Sequence, residues 1–267
     1  MKRFLTLTGH NAVFPDINDE WKTAVPPKMK RRDARIWQMA CAAAGPLVSA
    51  SERSPRSVIV GTALGALEET RQFLEGIFTD GLGSPRNFMS SVHNSIAGKI
   101  ALECGIRGPN LTICDSHNSF ASSIVAADLL DEHDFPVLIC IVDERIPILD
   151  ELYPHFSRRC RPYLSPEWKE AAIAFCIDLP GTPGRPIRAF GPLCTQRRDP
   201  EFVCRSILQK EIPLFTGSFR FKECTTSFIQ PAIAAAEVVN SGTDHTIIGS
   251  YSPTSGAAAL VEIGSAT

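Results

Sequence analysis

Apolar residues occur in short runs that are separated by amphipathic stretches and polar turns. Val137–Asp143 is a continuous apolar run, which is typical of a central strand covered on both faces. Ser57–Thr62 and Ala171–Asp178 are short apolar runs that predict two further strands. Such runs alternate with helical patterns along the chain. This order predicts an α/β layered sheet with helices on both faces.

The remaining elements follow from the same periodicities. Helices are predicted at residues 64–77, 94–104, 119–130 and 232–239, and another is opened by the basic run 28–35. Short strands are predicted at residues 4–8, 187–190, 245–249 and 258–263. We expect strand 187–190 to pair with strand 171–178 across a Gly- and Pro-containing turn, and we interpret residues 194–211 as a polar segment. No linker divides the chain, so we interpret residues 1–267 as one domain.

Composition restricts the class of protein. With 267 residues, 44% of them hydrophobic, the chain can bury a substantial core, and its formal charge of −2 provides no general attraction to nucleic acid or membranes. No apolar run approaches the roughly 20 residues that span a bilayer, and the N-terminus is too short and too polar for a signal peptide. The 9 Cys are scattered without a Cys-x-x-Cys pair, and the His residues lack ligand spacing. We therefore expect a reduced, cytoplasmic protein with no metal and no cofactor.

The stretch Gly108–Phe120 has the pattern of an active-site loop. A Gly-Pro-Asn turn leads into a short apolar strand, a tight polar elbow and a helix that starts at Ser119. Elbows of this kind place a reactive side chain at a helix N-terminus, where free N–H groups and the helix dipole stabilise a thiolate or an oxyanion. The candidates by residue type are Cys114 at the end of the strand and the adjacent pair Ser116 and His117 in the turn.

This stretch resembles the motif of the β-ketoacyl synthases, which are condensing enzymes of the thiolase superfamily. Their motif runs Gly-Pro-Asn, three strand residues, Ser-Thr-Ala and then the nucleophilic Cys, and the Cys position is His117 in this chain. Further segments resemble the family in the same order, namely residues 28–35, 60–65, 85–98 and 170–175. The resemblance covers about residues 28–178 and implies a thiolase-like layered fold.

The last third of the chain departs from the family pattern. Lys222–Ser227 resembles the family segment Lys-Ser-x-Thr-Gly-His, keeps Lys222, and has Ser227 at the position of a catalytic His. The other catalytic His of the family, in a His-Gly-Thr-Gly-Thr loop, has no counterpart in the shortened region before this segment. The resemblance therefore implies a complete N-terminal half, about residues 1–180, and a truncated C-terminal half, about residues 181–267.

These replacements bear on function, because condensation needs a thiolate to take the acyl group and imidazoles to drive decarboxylation and hold the enolate oxygen. With all three side chains replaced, we expect no catalytic residue in the chain. The pattern resembles a chain length factor, a subunit that pairs with an active β-ketoacyl synthase as a heterodimer and shapes the elongation of the acyl chain. The short C-terminal half is similar to the small subunits of aryl-polyene-type ketosynthase pairs. The implied process is polyketide, aryl polyene or fatty-acid-like biosynthesis.

Two groups of residues are candidates for partner contacts. The segment before the elbow helps to form the dimer interface in the family, and its counterparts here are Phe88, Met89, Val92, Asn94 and Ile96. A basic cluster could attract the acidic surface of an acyl carrier protein, or it could form an ordinary solvated surface. This cluster consists of Arg158, Arg159 and Arg161.

Other interpretations of the same residues stay open. Cys114 could be the nucleophile of an acyltransferase, and Ser116 with His117 could act in a decarboxylase or hydrolase, although the Gly-x-Ser-x-Gly elbow of hydrolases is absent. A stand-alone homodimeric acyl-binding protein is a third interpretation. After the central strand, Asp143, Glu144 and Arg145 predict either a polar network at a ligand-binding edge or an exposed loop.

Overall fold

Nine strands form one hydrogen-bonded sheet in the computed structural model, which describes residues 3–17, 19–29, 33–155, 169–194, 199–225 and 227–265. The strands are β1 (Leu5–Val13), β2 (Ser57–Thr62), β3 (Asn110–Cys114), β4 (Val137–Asp143), β5 (Ala171–Asp178), β6 (Arg185–Cys194), β7 (Ser218–Arg220), β8 (Thr246–Ser252) and β9 (Ala257–Ile263). The helices are α1 (Arg35–Ala50), α2 (Leu67–Asp80), α3 (Pro85–Ser91), α4 (Ser95–Cys104), α5 (Ser119–Asp128), α6 (Ile148–Leu152), α7 (Pro200–Glu211) and α8 (Gln230–Asn240). Within the described ranges, no helix is long and apolar enough to cross a membrane.

The sheet has the strand order β3-β2-β4-β5-β1-β6-β9-β8-β7. Strand β2 is parallel to both β3 and β4, so the carboxyl ends of these three strands lie at one edge of the sheet. Strand β5 runs antiparallel to β4 and to β1. The predicted elbow follows β3, and it therefore lies at the edge where open α/β sheets bind their ligands.

The expected pairing of strand 171–178 with strand 187–190 is wrong, because β1 lies between them. Leu7 of β1 faces Ile177 of β5 on one side and Arg185 of β6 on the other. The connection between β5 and β6 is longer than the two to five residues typical of a tight hairpin. That extra length lets β1 insert between the two strands, so β1 joins the two halves of the sheet.

Side chains of the central strands are sorted by alternation onto two faces. Ile59 of β2 packs in a core that is shared with α5 and α8, whereas its neighbours Val58 and Val60 pack under α1 and α4. Strands β6, β8 and β9 complete the shared core from the other side, and α7 covers their outer face. Helical and strand layers therefore alternate through the molecule, with α5 and α8 in the middle. The C-terminal half supplies four of the strands and the N-terminal half supplies five.

The segment interpreted as polar, residues 194–211, contains helix α7. The carboxylate of Asp199 accepts the backbone N–H of Phe202 at 2.9 Å, which caps the helix N-terminus. Pro200 occupies the first helical turn, where its missing N–H has no cost. Cys204 and Ile207 are buried on the inner face. The Asp-Pro start and the three-residue apolar spacing were the sequence signals for this helix.

A buried carboxylate ties together the strands of the C-terminal half. Glu262 of β9 is ion-paired with Arg188 of β6, and its Oε1 lies 2.6 Å from Nε2 of His245, just before β8. The Arg188 guanidinium is stacked 4.0 Å from the ring centroid of Phe4 and 5.0 Å from that of Phe190. Because both the charge and the ring faces are paired, this polar cluster can be buried at low cost.

Gly61→Ala should destabilise the fold, because a Cβ at this position would lie 2.6 Å from Ile141 Cδ1 and 3.0 Å from the carbonyl oxygen of Ser119. We expect a loss of about 1–3 kcal/mol in the free energy of unfolding, measured by urea denaturation. Gly98→Ala is the matched control, since a Cβ there meets nothing within 4 Å in helix α4. It should instead stabilise the chain by about 0.5–1 kcal/mol. Equal effects of the two changes would contradict this packing.

Candidate functional site

The backbone of the elbow is a strained turn between β3 and α5. Ser116 has a φ of +53°, a conformation that non-glycine residues seldom adopt. The hydroxyl oxygen of Ser119 accepts the N–H of Asp115 at 3.0 Å and lies 2.9 Å from the carbonyl oxygen of Thr62. The side chain of Ser119 therefore fixes the turn and attaches it to the end of β2. This geometry matches an elbow that presents a side chain at a helix start.

His117 occupies the centre of this elbow and is buried, with 1% of its surface exposed. Its Nδ1 lies 3.3 Å from the Ser116 hydroxyl, and its ring centroid is 4.8 Å from that of Phe228. Phe228 follows Ser227, whose hydroxyl donates to the carbonyl oxygen of Lys169 at 3.3 Å. The fold thus brings the elbow and the Ser227 loop together. Ser227 is buried, whereas Lys222 is exposed.

Asn118 is a structural residue of the elbow that the sequence did not single out. Its Nδ2 donates to the carbonyl oxygen of Ala257 at 3.0 Å, and its Oδ1 accepts the hydroxyl of Ser250 at 2.8 Å. Both partners belong to the C-terminal half, and the amide is fully buried. No local sequence pattern predicts these hydrogen bonds, because the partners are more than 130 residues away in sequence. The elbow is therefore also a joint between the two halves.

Cys114 lies at the end of β3, outside the turn itself. Its Sγ donates to the carbonyl oxygen of Ala63 at 3.1 Å. Burial of the thiol raises its pKa, and the nearby carboxylates of Asp143 and Asp115 raise the pKa further. The thiol is consequently protonated at neutral pH, which is the opposite of what a nucleophilic cysteine requires.

Asp143 forms a polar network at the end of β4, so the alternative of an exposed loop is wrong for Asp143 and Glu144, whereas Arg145 is exposed. Its buried carboxylate accepts hydrogen bonds from the Thr62 hydroxyl at 2.8 Å, from the Ala63 N–H at 2.9 Å and from the Leu64 N–H at 3.0 Å. Burial raises the pKa of Asp143 to about 6, although these three donors act in the opposite direction. The carboxylate fixes the turn after β2. The carbonyl oxygen of Ala63 in that turn then accepts the thiol of Cys114 beside the elbow.

Glu144, the next residue, forms a second buried acidic group with Glu69 of α2. Burial raises the pKa of Glu144 to about 8, and the proximity of Glu69 adds to the shift. The contact of Glu144 Oε1 with the N–H of Glu68 is long, at 3.5 Å. Burial also raises the pKa of Glu69, which is the buried residue of α2. Helix α2 is otherwise largely exposed, and the carboxyl groups of Glu144 and Glu69 both favour the protonated form.

The predicted interface residues fall into two environments. Phe88, Met89 and Val92 are 55%, 66% and 44% exposed, and Asn94 is exposed as well, whereas Ile96 is fully buried in the core of the chain. Exposed apolar residues of α2 and of the turn after it continue this patch, which we call the α2–α3 surface. It consists of Leu74, Ile77, Phe78, Leu82, Phe88, Met89 and Val92. The predicted docking residues Arg158, Arg159 and Arg161 lie outside the described residues.

One cluster of ligand-type side chains lies away from the elbow. The ligand atoms of Asp131, His133 and Asp134 are within 4.8 Å of one another in the part of the chain that the structure describes. Asp131 and His133 are exposed, and all three precede β4 at the opposite edge of the sheet. This position separates the cluster from the elbow and its chemistry.

Comparisons with known proteins agree with this geometry. The family described as "Beta-ketoacyl synthase, N-terminal domain" matches residues 8–182, a range that includes the elbow and strands β2 to β5. No curated protein matches the sequence. The predicted resemblance to the β-ketoacyl synthases is therefore confirmed at the level of the family.

Several solved structures have a similar fold. A chain of the ishigamide ketosynthase/chain length factor matches with a TM-score of 0.75 and 15% identity, over 99% of this chain and 100% of that one. A chain from the ketosynthase ApeO in complex with its chain length factor ApeC, from Xenorhabdus doucetiae, matches with a TM-score of 0.65 and 15% identity, over 98% and 100%. A chain of AntDE:AntF, a type II PKS acyl-carrier protein in complex with its ketosynthase bound to the hexaketide, has a TM-score of 0.67 and 15% identity, with 100% of both chains covered. These matches confirm the predicted thiolase-like α/β fold.

The Cys114 thiol should react slowly with iodoacetamide, because its raised pKa leaves little thiolate near neutral pH. We expect alkylation at about pH 7.5 to be slower at Cys114 than at the exposed Cys194, as followed by mass spectrometry of the two peptides. Asp115→Asn should accelerate the reaction at Cys114, since it removes a negative charge and still offers an oxygen to Ser122. Faster alkylation of Cys114 than of Cys194 in the unmodified chain would contradict the assignment.

Glu144→Gln should make the stability of the fold less dependent on pH. The pKa of Glu144 is raised from 4.5 to about 8, so its stabilising contribution is complete below pH 4.5 and is lost as the pH rises through 8. We expect the unmodified chain to lose on the order of 1–2 kcal/mol more than the variant between about pH 5 and pH 9, measured by urea denaturation. Glu151→Gln, at an exposed position, should retain the original dependence. Identical pH profiles for Glu144→Gln and the unmodified chain would show that Glu144 is not protonated in the fold.

Proposed function

Because the chain belongs to the β-ketoacyl synthase family, we propose that it is a non-catalytic, chain-length-factor-like subunit that pairs with an active β-ketoacyl synthase. In this role it shapes the elongation of an acyl chain in polyketide, aryl polyene or fatty-acid-like biosynthesis. An acyl carrier protein is the second partner in the proposal. Chains of similar fold occur in the two ketosynthase and chain length factor complexes described above, which supports the proposed pairing.

The observation on which the proposal rests is that the side chain of His117 is buried inside the elbow. His117 stands at the position of the nucleophile and is buried against Phe228, so the turn that would present a thiolate presents an imidazole inside the protein. The nearest thiol, that of Cys114, is bonded to a backbone carbonyl and has a raised pKa. Loss of a single member of a catalytic unit usually lowers the rate by several powers of ten. In this proposal, the chain therefore has the scaffold of a condensing enzyme but lacks its nucleophile.

The partner surface in this proposal combines the α2–α3 surface with strand β3. Contiguous exposed apolar side chains on a soluble fold are typical of an interaction site. Strand β3 ends the strand order of the described sheet, and its outer edge offers unpaired backbone groups, beside which Leu111 is 39% exposed. The two features are neighbours, because α3 leads into α4, which packs beside β3. An obligate interface of this type would bury about 2,000–5,000 Å².

The limit on chain length would then be steric. Side chains that cross the interface, with Phe88 and Met89 as the candidates on α3, would contact the end of the growing chain in its partner and determine where elongation stops. The basic residues Arg158, Arg159 and Arg161 remain the proposed contact for an acidic acyl carrier protein, through charge attraction across the interface.

Co-expression with a candidate ketosynthase tests the pairing. Only this chain carries an affinity tag, and the purified material is sized by mass. We expect a one-to-one complex, and we expect poor solubility when the chain is expressed alone, because the α2–α3 surface is then uncovered. A soluble homodimer that does not bind the ketosynthase would overturn the proposal and favour a stand-alone acyl-binding protein.

Phe88→Asp should sharply reduce the amount of ketosynthase that co-purifies. A charge placed in the centre of an apolar interface typically costs 2 kcal/mol or more, which corresponds to at least about a thirtyfold loss in affinity. The matched control is Phe202→Asp, because Phe202 is 57% exposed on α7, away from the α2–α3 surface. Equal co-purification with the two variants would place the interface elsewhere.

A further inference from the structure

A second cleft lies at the edge of the sheet opposite the elbow. Its walls are loops that precede the parallel strands β2, β3 and β4, whereas the elbow follows the carboxyl end of β3. Strand β2 has 6 residues, and a strand of that length spans roughly 20 Å. The cleft is therefore separate from the elbow and its surroundings, and nothing in the proposed function uses it.

One half of this cleft is basic. It is a cavity of about 660 Å³ whose charged lining consists of Arg53, Arg56, Arg107, His133 and one carboxylate, that of Asp134, which lies 3.5 Å from Nε2 of His133. Arg53 is paired with the buried carboxylate of Asp178 at 2.6 Å, and Arg56 donates to the carbonyl oxygen of His133 at 3.1 Å. In the part of the chain that the structure describes, neither Arg56 nor Arg107 forms an ion pair with a carboxylate. The exposed guanidinium groups of Arg56 and Arg107 thus line one concave surface and have N–H donors that are not used in ion pairs.

Helix geometry favours a cation at two of these positions. Arg53 follows the C-terminal end of α1, and Arg107 follows the C-terminal end of α4. The negative end of a helix dipole favours a cation at such positions. Arg53 is in addition paired with Asp178, whereas Arg107 has no carboxylate partner among the described residues, so its N–H groups remain available to bind an anion.

The loops that carry the arginines are held together by backbone hydrogen bonds. The N–H of Arg56 donates to the carbonyl oxygen of Pro136 at 2.7 Å, and the N–H of Gly108 donates to that of Arg56 at 2.9 Å. A Cβ on Gly108 would lie 2.4 Å from the Arg56 oxygen, so glycine is what permits this close approach. The Ser57 hydroxyl also donates to the carbonyl oxygen of Asp134 at 2.8 Å. The basic half is thus formed before any ligand arrives.

The other half of the cleft is largely apolar. It is a neighbouring cavity of about 470 Å³, and two of its lining residues, Arg53 and Pro136, also line the basic half. The hydroxyls of Thr8 and Ser51 also line it, but they already donate to the carbonyl oxygens of Cys176 and Leu47 at 3.2 and 2.8 Å. Its apolar lining is formed by Leu47, Ala50, Pro136, Cys176 and Pro183. These residues offer a surface for a hydrocarbon group, beside the polar lining residues His10, Glu52, Asp178 and Thr182.

We propose that the cleft binds an amphipathic monocarboxylate, with its carboxylate on Arg56 and Arg107 and its hydrocarbon chain against Leu47, Ala50 and Pro183. A guanidinium group offers paired N–H donors that match the two oxygens of a carboxylate. Burial of each CH₂ group in the apolar half adds to the affinity. Both cavities fall within the range of about 300–1,000 Å³ that is usual for small-molecule sites.

Calorimetric titration of the full chain with octanoate tests the site. We expect saturable binding of one octanoate per chain, with acetate binding at least about tenfold more weakly because it lacks the chain, and octanol at least about tenfold more weakly because it lacks the charge. Equal affinity for octanoate and acetate, or for octanoate and octanol, would overturn the proposal, and so would the lack of saturable octanoate binding.

Substitutions locate the binding within the cleft. Arg107→Gln and Ala50→Trp alter exposed positions in the basic and apolar halves respectively, and each should weaken octanoate binding about tenfold or more. Arg86→Gln is the matched control, because Arg86 is exposed on α3 at a distance from the cleft. Thermal melts of all variants verify folding. Octanoate affinity that is unchanged in both Arg107→Gln and Ala50→Trp would show that the ligand binds elsewhere and would overturn the assignment.

Discussion

The buried carboxylate of Asp143 is the interaction on which the ligand-binding edge depends. Asp143 is the last residue of β4, and its carboxylate accepts three hydrogen bonds from the end of β2 and the turn after it. It therefore connects these two central strands beyond the point where their backbone hydrogen bonds end. The carbonyl oxygens of that turn then receive the Ser119 hydroxyl and the Cys114 thiol. Burying a carboxylate is costly, as its raised pKa indicates, and three donors are what make the burial tolerable. The elbow takes its position from this network.

The elbow has a structural role, because it connects the two halves of the chain. The amide of Asn118 bonds to both strands of the last hairpin, and the ring of His117 packs against Phe228. These contacts hold the N-terminal half against the C-terminal half and need no nucleophile. The conformation of such a turn therefore does not depend on a reactive side chain at its centre, because a fold and the activity that it carries can depend on different groups. This separation is what the proposed subunit requires.

The two halves differ in how completely they are covered. In the C-terminal half, the cluster of Glu262, Arg188 and His245 pairs every charge that it buries, and the edge strand β7 is short, which limits its exposure. In the N-terminal half, α2 buries Glu69 in its first turn and leaves an apolar face exposed beside α3. Among the described residues, the C-terminal half also exposes apolar side chains, namely Leu193, Phe202 and Leu214, but the larger group is the α2–α3 surface. A partner on the α2–α3 surface would complete the same apolar burial that folds the rest of the chain.

The sequence by itself determined the strands β2, β4 and β5, whose bounds agree with the apolar runs, because continuous burial leaves a local signal. It also determined the family, because the order of motifs around the elbow is a property of the chain alone. Only the tertiary structure decided that β1 lies between β5 and β6, that Ile96 is a core residue, and that Asp143 and Glu144 are buried. Each of these depends on contacts between residues far apart in the chain. Periodicity shows that a residue has a buried side, but the partner that buries it is chosen by the whole fold.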